Sequence, residues 1–341
     1  MSKTLRWGVL GAASIATQRT MPAMRNAPSA SLVALASRDA AKGRQVAEAF
    51  GISRVHASYE ALLADPEVDA VYVPLPNRLH AEWSARAMEA GKHVLCEKPL
   101  CMNSDEVRRL IAVRERTGRH IEEGFAYRNH PQWDKLDQLI DGGAIGEVRS
   151  AHLTLAKQFL DPGDIRNNPD EGGGALYDLG SYTLSAIGRV FRRPPLRVVA
   201  TLDRDPNFRI DRLTSVLLDY GDAHALMTVS TQAGTAAWGT HQQFSVMGEK
   251  GWMRMNFPYA HARPTACALE VGDAQSVGSF AAQTFQFEAV DHYQLQIERF
   301  SRFLLGAPVP SYPIEDSLLI ARLVEAILAS VRSGQWQSLA A

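Results

Sequence analysis

The chain has 341 residues, of which 46% are hydrophobic and 21% are charged, and its formal net charge is −1. This length predicts about two domains, each long enough to bury its own core. The near-zero net charge excludes a protein that attracts nucleic acid or an anionic membrane through a strong overall field.

The cysteine content and the start of the chain bear on the compartment. Three cysteines (Cys96, Cys101 and Cys267) cannot form a disulfide framework, and they are typical of a reducing environment. The first residues lead directly into a predicted strand, which leaves no room for a signal peptide. No apolar run approaches the roughly 18 residues of a membrane span. We therefore expect a cytoplasmic protein.

The first third of the chain alternates β-rich runs with helical segments, which predicts an α/β fold with a parallel sheet covered on both faces. The predicted strands are Leu5–Leu10, Ser31–Ala36, Val68–Val73, His93–Cys96 and His120–Ala126. The predicted helices are Ile15–Arg25, Ala40–Phe50, Leu79–Ala90 and a segment from Asn103 to about Thr117. Gly51 and Gly91 follow two of these helices at the usual left-handed cap position.

Strand-like runs dominate after about residue 125. A helix near Pro131–Ile140 precedes the runs Val148–Ala156, Arg197–Leu202, Thr214–Tyr220, His224–Ser230 and Phe244–Met247. Residues 252–257 alternate, which predicts Met253, Met255 and Phe257 on one face of a strand. These runs predict an open antiparallel or mixed sheet. An apolar stripe from Leu319 to Val331 predicts a final helix that docks on the body.

Residues 11–16 read Gly-Ala-Ala-Ser-Ile-Ala, directly after a predicted strand. A dinucleotide-binding turn has the pattern G-x-G-x-x-G/A at this place, and Gly11, Ala13 and Ala16 hold its three small positions. Ser14 and Ile15 lie where the next helix starts, and free N–H groups there would face a pyrophosphate. The alternative is a glycine turn in a domain that binds no nucleotide.

Ser37 and Arg38 end the second predicted strand, about 20 residues beyond the glycine turn. A site for NAD places Asp or Glu there, against the ribose hydroxyls. A hydroxyl and a guanidinium would instead bind a 2′-phosphate, so the pair indicates NADP(H) rather than NAD(H). The alternative is that Arg38 is a solvated loop residue.

Two further strand ends carry polar groups, and open α/β sheets bind ligands at the carboxyl ends of their strands. The residues predicted to contact the cofactor there are Pro74, Leu75, Asn77 and His80 after one strand, and Glu97 and Lys98 after the next. A lysine at this place would point its ammonium group into the crevice beside the nicotinamide. The alternative is that Lys98 is a solvated turn residue before proline.

Together these segments resemble the Gfo/Idh/MocA oxidoreductase family. The matching segments are Trp7–Ala16, Ala36–Arg38, Pro74–Asn77 with His80, Ala90–Pro99, Gly172–Tyr182 and Pro313–Ser317. The resemblance implies a Rossmann domain that binds NADP(H), at residues 1–124. It also implies a substrate-binding domain, residues 125–341, built on a large open, mostly antiparallel sheet. That sheet would form the interface of a homodimer or homotetramer.

Many family members carry Asp-x-Gly-x-His in the second domain, whereas this chain has Asp178-Leu-Gly-Ser-Tyr182. In having a tyrosine at this position, the chain resembles one branch of the family. That branch contains glucose–fructose oxidoreductase, NADP-dependent xylose dehydrogenases, dihydrodiol dehydrogenases and some sugar-nucleotide ketoreductases. Oxidising an alcohol requires a base for the hydroxyl proton. A free tyrosine has a pKa of about 10, so a nearby cation is needed, and Lys98 is the obvious one. Asp178 would orient the substrate or the tyrosine, or cap the helix.

The resemblance also implies that Arg166 lies near the nicotinamide and the substrate; the alternative is a surface loop arginine. Further candidates to line the cleft are Tyr127, Arg128, His292 and Tyr293. The glycine run 172–174 lacks the lysine of a phosphate-binding loop, and we interpret it as a flexible entry to the substrate helix. No His/Cys set has metal-ligand spacing, so no metal is expected.

The predicted function is therefore an NADP(H)-dependent oxidoreductase that acts on a hydroxyl or carbonyl carbon of a sugar or related cyclic polyol. The alternatives within this chemistry are a sugar-nucleotide ketoreductase and a dihydrodiol dehydrogenase. An NAD-dependent glycosidase and a non-catalytic NADP-binding regulator are alternatives on the same fold.

Overall fold

The computed structural model describes residues 3–233, 240–259, 266–273 and 282–339. The chain divides into two compact units. The first comprises Met1–Asn129 with Asp291–Leu318, and the second His130–Val290 with Leu319–Ala341. The pattern of strands and helices along the sequence does not indicate that Asp291–Leu318 returns to the first unit.

A six-stranded parallel sheet forms the first unit. Its strands are β1 Leu5–Leu10, β2 Ala30–Ala36, β3 Arg54–His56, β4 Ala70–Val73, β5 His93–Cys96 and β6 Ile121–Glu123. Their order is β3-β2-β1-β4-β5-β6, and every pair is parallel. This is the Rossmann order, in which the direction of winding reverses between β1 and β4. The predicted α/β class is confirmed.

Helices connect these strands. A helix begins at Ser14 with a π-helical turn at Ala16–Thr20 and continues as α1. The α-helices are α1 Met21–Asn26, α2 Ala40–Phe50, α3 Tyr59–Leu63, α4 His80–Glu89 and α5 Ser104–Thr117. Gly51 ends α2 with a φ of +68°, in the left-handed conformation that its position in the sequence predicts.

A nine-stranded sheet forms the second unit, with order β14-β13-β12-β11-β7-β10-β9-β8-β15. The elements are α6 Pro131–Asp141, β7 Val148–Ala156, α7 Ser181–Phe191, β8 Arg197–Arg204, β9 Asp211–Asp219, β10 His224–Ser230, β11 His241–Gly248, β12 Gly251–Met255, β13 Cys267–Asp273, β14 Ala282–Phe287 and β15 Gln337–Ser338. β10 runs parallel to β7, and the other described neighbours are antiparallel. The mostly antiparallel sheet is therefore confirmed.

One face of this sheet packs under helices. Met227 of β10 contacts Thr183 of α7, and Phe244 of β11 packs edge-on against Trp133 of α6, with ring centroids 5.2 Å apart. The opposite face carries exposed apolar side chains. Phe257 departs from the predicted strand pattern, because the strand ends at Met255 and the Phe257 side chain is 37% exposed.

Two helices close the chain, α8 His292–Leu304 and α9 Ile314–Ser333. α8 packs on the first unit, where Phe300 lies 5.1 Å from the fully buried Trp7 ring and Ser301 accepts a hydrogen bond from the indole N–H. Near the end of α9, Ser330 accepts a hydrogen bond from the Ala200 N–H in the second unit. Within the described ranges, no helix combines the length and apolarity needed to cross a membrane.

Candidate active site

The turn after β1 has the geometry of a dinucleotide-binding turn. Gly11 has a φ of +104° and donates its N–H to the Ala36 carbonyl oxygen at 2.7 Å. A Cβ at Gly11 would lie 3.2 Å from the side chain of Leu75, so both the conformation and the space favour glycine. The helix begins at Ser14, directly after Ala13, and its first N–H groups have no acceptor within the helix. This arrangement fits a pyrophosphate.

The end of β2 separates the roles of Ser37 and Arg38. Ser37 is buried and its hydroxyl donates to the Asp39 carbonyl oxygen at 2.8 Å, so its proton stabilises the local turn. Arg38 is exposed and, among the described residues, makes no salt bridge. Arg38 is therefore the group at this strand end that is available to a phosphate.

The turn after β5 carries Lys98, and hydrogen bonds hold its backbone on both sides of this residue. The Cys96 carbonyl oxygen accepts from the Gly124 N–H at 2.6 Å, and the Leu100 N–H donates to the Glu123 carboxylate at 2.8 Å. The Lys98–Pro99 peptide bond is cis, and Lys98 is half-buried. The carboxyl end of β5 thus presents Lys98 as the sequence predicts.

Glu97, predicted to contact the cofactor, forms a hydrogen bond with a residue of the neighbouring strand β4. Its carboxylate accepts a hydrogen bond of 2.6 Å from the hydroxyl of Tyr72, a residue of β4. Burial and the charge of Glu97 raise the pKa of Tyr72, so Tyr72 stays protonated and donates. This bond fixes the Glu97 side chain beside Lys98.

The loop after β4 contains the other predicted contact residues. Pro74 and Leu75 are buried, and Asn77 is half-buried at the start of a 3-10 turn. His80 is fully buried, with its ring nitrogens close to the Pro99 and Leu75 carbonyl oxygens. His80 therefore lies behind this surface, with both of its polar atoms engaged by the protein.

In the second unit, Tyr182 is the second residue of α7 and is half-buried. A π-helical turn, Leu176–Gly180, precedes α7 and carries Asp178. The first N–H of this turn, that of Leu176, donates to the carboxylate of Asp211 at 2.7 Å. Burial raises the pKa of Asp211 to about 6. Asp211, a residue of β9, thus caps the helical segment that carries Tyr182.

The glycine run before this segment is tightly packed, so its interpretation as a flexible entry is wrong. A Cβ at Gly173 would lie 2.4 Å from the Arg166 carbonyl oxygen. Gly174 has a φ of +113°, and a Cβ there would lie 1.9 Å from the Asp211 carboxylate. Only glycine lets these two segments approach so closely.

Arg166 and Asp178 form an ion pair. The Arg166 Nε donates to Asp178 at 3.0 Å, and its Nη1 donates to Asp164 at 3.1 Å. Asp178, followed by Asp164, raises the pKa of Arg166, which stays charged. The sequence suggested both residues but not their pairing.

Tyr259 is a residue of this site that sequence reasoning missed. Its ring packs edge-on against the Tyr182 ring, with centroids 6.2 Å apart. The Tyr259 N–H donates to Gln242 at 3.1 Å, and Trp133 donates to the Pro258 carbonyl oxygen at 2.8 Å. The only signal in the sequence was Pro258, which breaks the strand pattern.

Four residues were predicted to line a cleft, and each is buried: Tyr127, Arg128, His292 and Tyr293. Arg128 forms a salt bridge of 3.2 Å with Asp316, and its guanidinium lies 4.9 Å from the centre of the Phe125 ring. It is thus a buried structural cation of the first unit. Within the described part of the chain, no three His, Cys, Asp or Glu side chains form a group able to hold a metal ion.

Family models match both parts of the chain. Residues 5–125 match the oxidoreductase family with an NAD-binding Rossmann fold, and residues 133–254 match the GFO/IDH/MocA C-terminal domain. The chain belongs to the Gfo/Idh/MocA family of oxidoreductases. An uncharacterised oxidoreductase of Rhizobium meliloti is 42% identical over 98% of this chain and 99% of the relative. A D-xylose 1-dehydrogenase (NADP(+)) of Haloferax volcanii is 35% identical to this chain, and the match covers 97% of this chain and 98% of the relative.

A solved structure of this family has a similar fold along its whole length. It is the 3-ketoreductase KijD10 from Actinomadura kijaniata in complex with NADP and TDP-benzene, with a TM-score of 0.85 and 34% identity over 96% of this chain and 98% of that one. Other structures of that ketoreductase contain variants in which one tyrosine is replaced by phenylalanine, or one lysine by alanine or glutamate.

Proposed function

We propose that this oxidoreductase transfers hydride between NADP(H) and a hydroxyl or carbonyl carbon of a sugar or related cyclic polyol. The observation that carries the proposal is a lysine on a rigid turn at the carboxyl end of β5, in a chain whose full-length relatives use sugars and NADP(H). The bound nicotinamide supplies the hydride acceptor or donor. The chain supplies the groups that bind, orient and move the proton.

The first unit offers the groups that would hold the cofactor. The N–H groups at Ser14 and Ile15 follow the Gly11 turn and suit the pyrophosphate. Arg38 suits the 2′-phosphate of NADP, because a guanidinium binds phosphate through two parallel hydrogen bonds. Pro74, Leu75 and Asn77 after β4, with Glu97 and Lys98 after β5, would flank the nicotinamide.

Tyr182 and Lys98 are proposed to act as an acid–base pair. A cation about 4 Å from a phenol, at an effective dielectric constant of about 20, stabilises the phenolate by up to about 4 kcal/mol. This corresponds to about three pKa units, enough to bring a tyrosine close to neutrality. Lys98 would also donate a hydrogen bond to the reacting oxygen, and Arg166 with Asp178 would orient the substrate.

The ketoreductase variants support this choice. The lysine and the tyrosine replaced in that relative are 84 positions apart, as are Lys98 and Tyr182 in this chain. Both chains therefore carry the two residue types at one spacing.

The test replaces each proposed acid–base residue. We expect Lys98→Ala and Tyr182→Phe to lower kcat by about 10²–10⁴-fold, since general acid–base catalysis contributes that much. NADPH binding, measured by fluorescence titration, should persist in both. Tyr220→Phe, a buried tyrosine stacked on Phe191, is the matched control and should keep wild-type kcat. A Tyr182→Phe enzyme with normal kcat would exclude the proposed mechanism.

A second candidate is reduction of a keto group on a sugar nucleotide, which the likeness to the TDP-benzene-bound ketoreductase favours. The same assays separate the two, with D-xylose and other aldoses in one series and dTDP-linked keto sugars in the other. Turnover of free aldoses alone supports the first candidate.

Arg38 tests the cofactor preference. We expect Arg38→Ala to raise the KM for NADP by about 10–100-fold, because a hydrogen bond between charged groups contributes about 1.5–3 kcal/mol. The KM for NAD should change little. Arg44→Ala, an exposed arginine on the following helix α2, is the control. Equal changes for both cofactors would argue against a 2′-phosphate site.

The open face of the second sheet is proposed to pair two copies of the chain. It exposes Leu213 of β9, Leu226 of β10 and Met247 of β11, each at least 40% exposed. Apolar side chains exposed on one face of a sheet are typical of interaction sites. A homodimer, or a homotetramer built from it, would be seen by sedimentation velocity. The three free cysteines, all buried, support the proposal of a cytoplasmic location.

A further inference from the structure

The buried ring of His80 bridges two loops of the first unit. His80 starts α4 and is fully buried. Its Nδ1 lies 2.7 Å from the Pro99 carbonyl oxygen, and its Nε2 lies 2.7 Å from the Leu75 carbonyl oxygen. Pro99 directly follows Lys98, and Leu75 belongs to the loop after β4. One side chain therefore contacts the backbone that follows two neighbouring strands, β4 and β5.

Backbone carbonyl oxygens only accept hydrogen bonds, so each contact needs an N–H on the ring. A ring with one proton satisfies one carbonyl, and a doubly protonated ring satisfies both. Burial lowers the pKa of His80, while the two carbonyls act in the opposite direction. In either state the imidazole is a short, rigid donor between the two loops, without the rotatable stem of Lys or Arg.

Other hydrogen bonds of the Lys98 turn come from β6 and from β4. Glu123 holds the Leu100 N–H, and the Gly124 N–H holds the Cys96 carbonyl oxygen, both from the region of β6. His80, the first residue of α4, contacts the Pro99 carbonyl oxygen, which lies between these two points along the chain. On the β4 side, the Glu97 N–H donates to the Val73 carbonyl oxygen at 3.1 Å, and His80 adds a contact to the carbonyl that directly follows Lys98.

We propose that His80 is a positioning residue, which sets the direction of Lys98 by holding the Pro99 carbonyl against the loop after β4. This inference rests on the proposed role of Lys98. Misplacing a reacting group by about 1 Å costs up to about 100-fold in rate. His80 therefore acts on kcat through Lys98, without itself touching the reacting atoms.

The experiment replaces the donor while filling the space. We expect His80→Phe to lower kcat by about 10–100-fold at saturating cofactor and substrate, per NADPH-binding site. His80→Gln keeps an amide N–H donor. Its kcat should fall by less than that of His80→Phe, but by at least about threefold. His93→Gln is the control, because His93 lies at the amino end of β5, the end away from Lys98, and accepts a hydrogen bond from the His120 N–H. It should keep wild-type kcat.

A double-mutant comparison separates positioning from general loss of structure. If His80 acts through Lys98, His80→Phe should change the residual rate of Lys98→Ala by less than about twofold. A full additional loss in that background, or a normal kcat per site in His80→Phe with only a lower Tm, overturns the inference. If the Phe variant does not fold, His80→Gln is carried through the same comparison, and an unchanged kcat for it overturns the inference.

The result also distinguishes this inference from the proposed function. Normal activity of Lys98→Ala would refute the role of Lys98 itself, whatever His80→Phe does. An inactive Lys98→Ala beside a normal His80→Phe would refute only the positioning role.

Discussion

The turn that carries Lys98 and the helix start that carries Tyr182 are held in place by different physics. Around Lys98, buried polar side chains hold backbone groups through hydrogen bonds: His80 on Pro99 and Glu123 on Leu100. Around Tyr182, close approach dominates, because Gly173 and Gly174 leave no space for a Cβ. The first region depends on chemical type and the second on volume.

This difference predicts how each region fails. A hydrogen-bonded turn loses stability in steps of about 0.5–3 kcal/mol as individual partners are removed. A close-packed glycine cannot be replaced without moving backbone, and a positive φ adds strain for any other residue. The region around Tyr182 should therefore respond more sharply to small changes.

The largest effect is expected at Gly174. Gly174→Ala introduces a Cβ 1.9 Å from the Asp211 carboxylate at a φ of +113°. We expect a loss of about 3 kcal/mol or more in the free energy of unfolding, together with low activity. Urea denaturation measures the stability.

Gly143→Ala is the matched control for this change. Gly143 lies in the same unit with a φ of +68°, and nothing lies within 4 Å of its missing Cβ. It should lose only about 1 kcal/mol, the cost of the backbone conformation. Equal losses at the two glycines would show that strain, not close approach, limits this region.

Asp211 gives the next effect, one that depends on pH. Its pKa of about 6 in the folded protein exceeds the ordinary 3.8, because the carboxyl is buried. The folded state thus binds the proton more tightly than the unfolded chain, so this group's contribution to stability falls as pH rises from about 4 to about 6. The fall between pH 4 and pH 7 should be about 2 kcal/mol.

Asp211→Asn isolates this contribution, because its amide stays neutral. The difference in unfolding free energy between wild type and Asp211→Asn should move against the wild type by about 2 kcal/mol between pH 4 and pH 7. A difference that stays constant, or moves in favour of the wild type, would contradict the buried state of Asp211.

The smallest effect is expected at Ser317, which belongs to the hydrogen-bonded region. Its hydroxyl donates to the buried Glu123 carboxylate at 2.6 Å. The Leu100 N–H also donates to that carboxylate, so Ser317→Ala removes one of two hydrogen bonds there and should cost about 1–2 kcal/mol. Ser333→Ala, an exposed serine of the same helix, should stay within about 0.5 kcal/mol of wild type. A loss at Ser317 as large as that at Gly174 would remove the contrast between the two regions.

Much of the first sheet was predictable from sequence. The structure has β1 and β5 at Leu5–Leu10 and His93–Cys96, as predicted, because short apolar runs before glycine or proline leave few alternatives. The strand β3 was missed, since Arg54–His56 is three residues long and has no buried residue. Closely spaced strand runs predicted an antiparallel or mixed second sheet, and the family resemblance implied that it is mostly antiparallel.

The residues of the site that belong to sequence motifs were predictable. Gly11, Arg38 and Lys98 lie at strand ends because parallel strands place their carboxyl ends on one edge. The supporting contacts were not predictable, because their partners are backbone atoms or lie far along the chain. His80 binds the carbonyl of Pro99, and Asp211 binds the N–H of Leu176, 35 residues before it. No periodicity or motif specifies such partners.

The packing of α8 on β1 has a consequence for synthesis of the protein. Trp7 is among the first residues to leave the ribosome, yet its ring is covered by Phe300 and its N–H bonds Ser301, 294 residues later. The core of the first unit is therefore complete only after nearly the whole chain has been synthesised. A shortened protein that ends near Asn129 would leave this tryptophan uncovered, so expression of that unit alone requires α8 to be joined back to it.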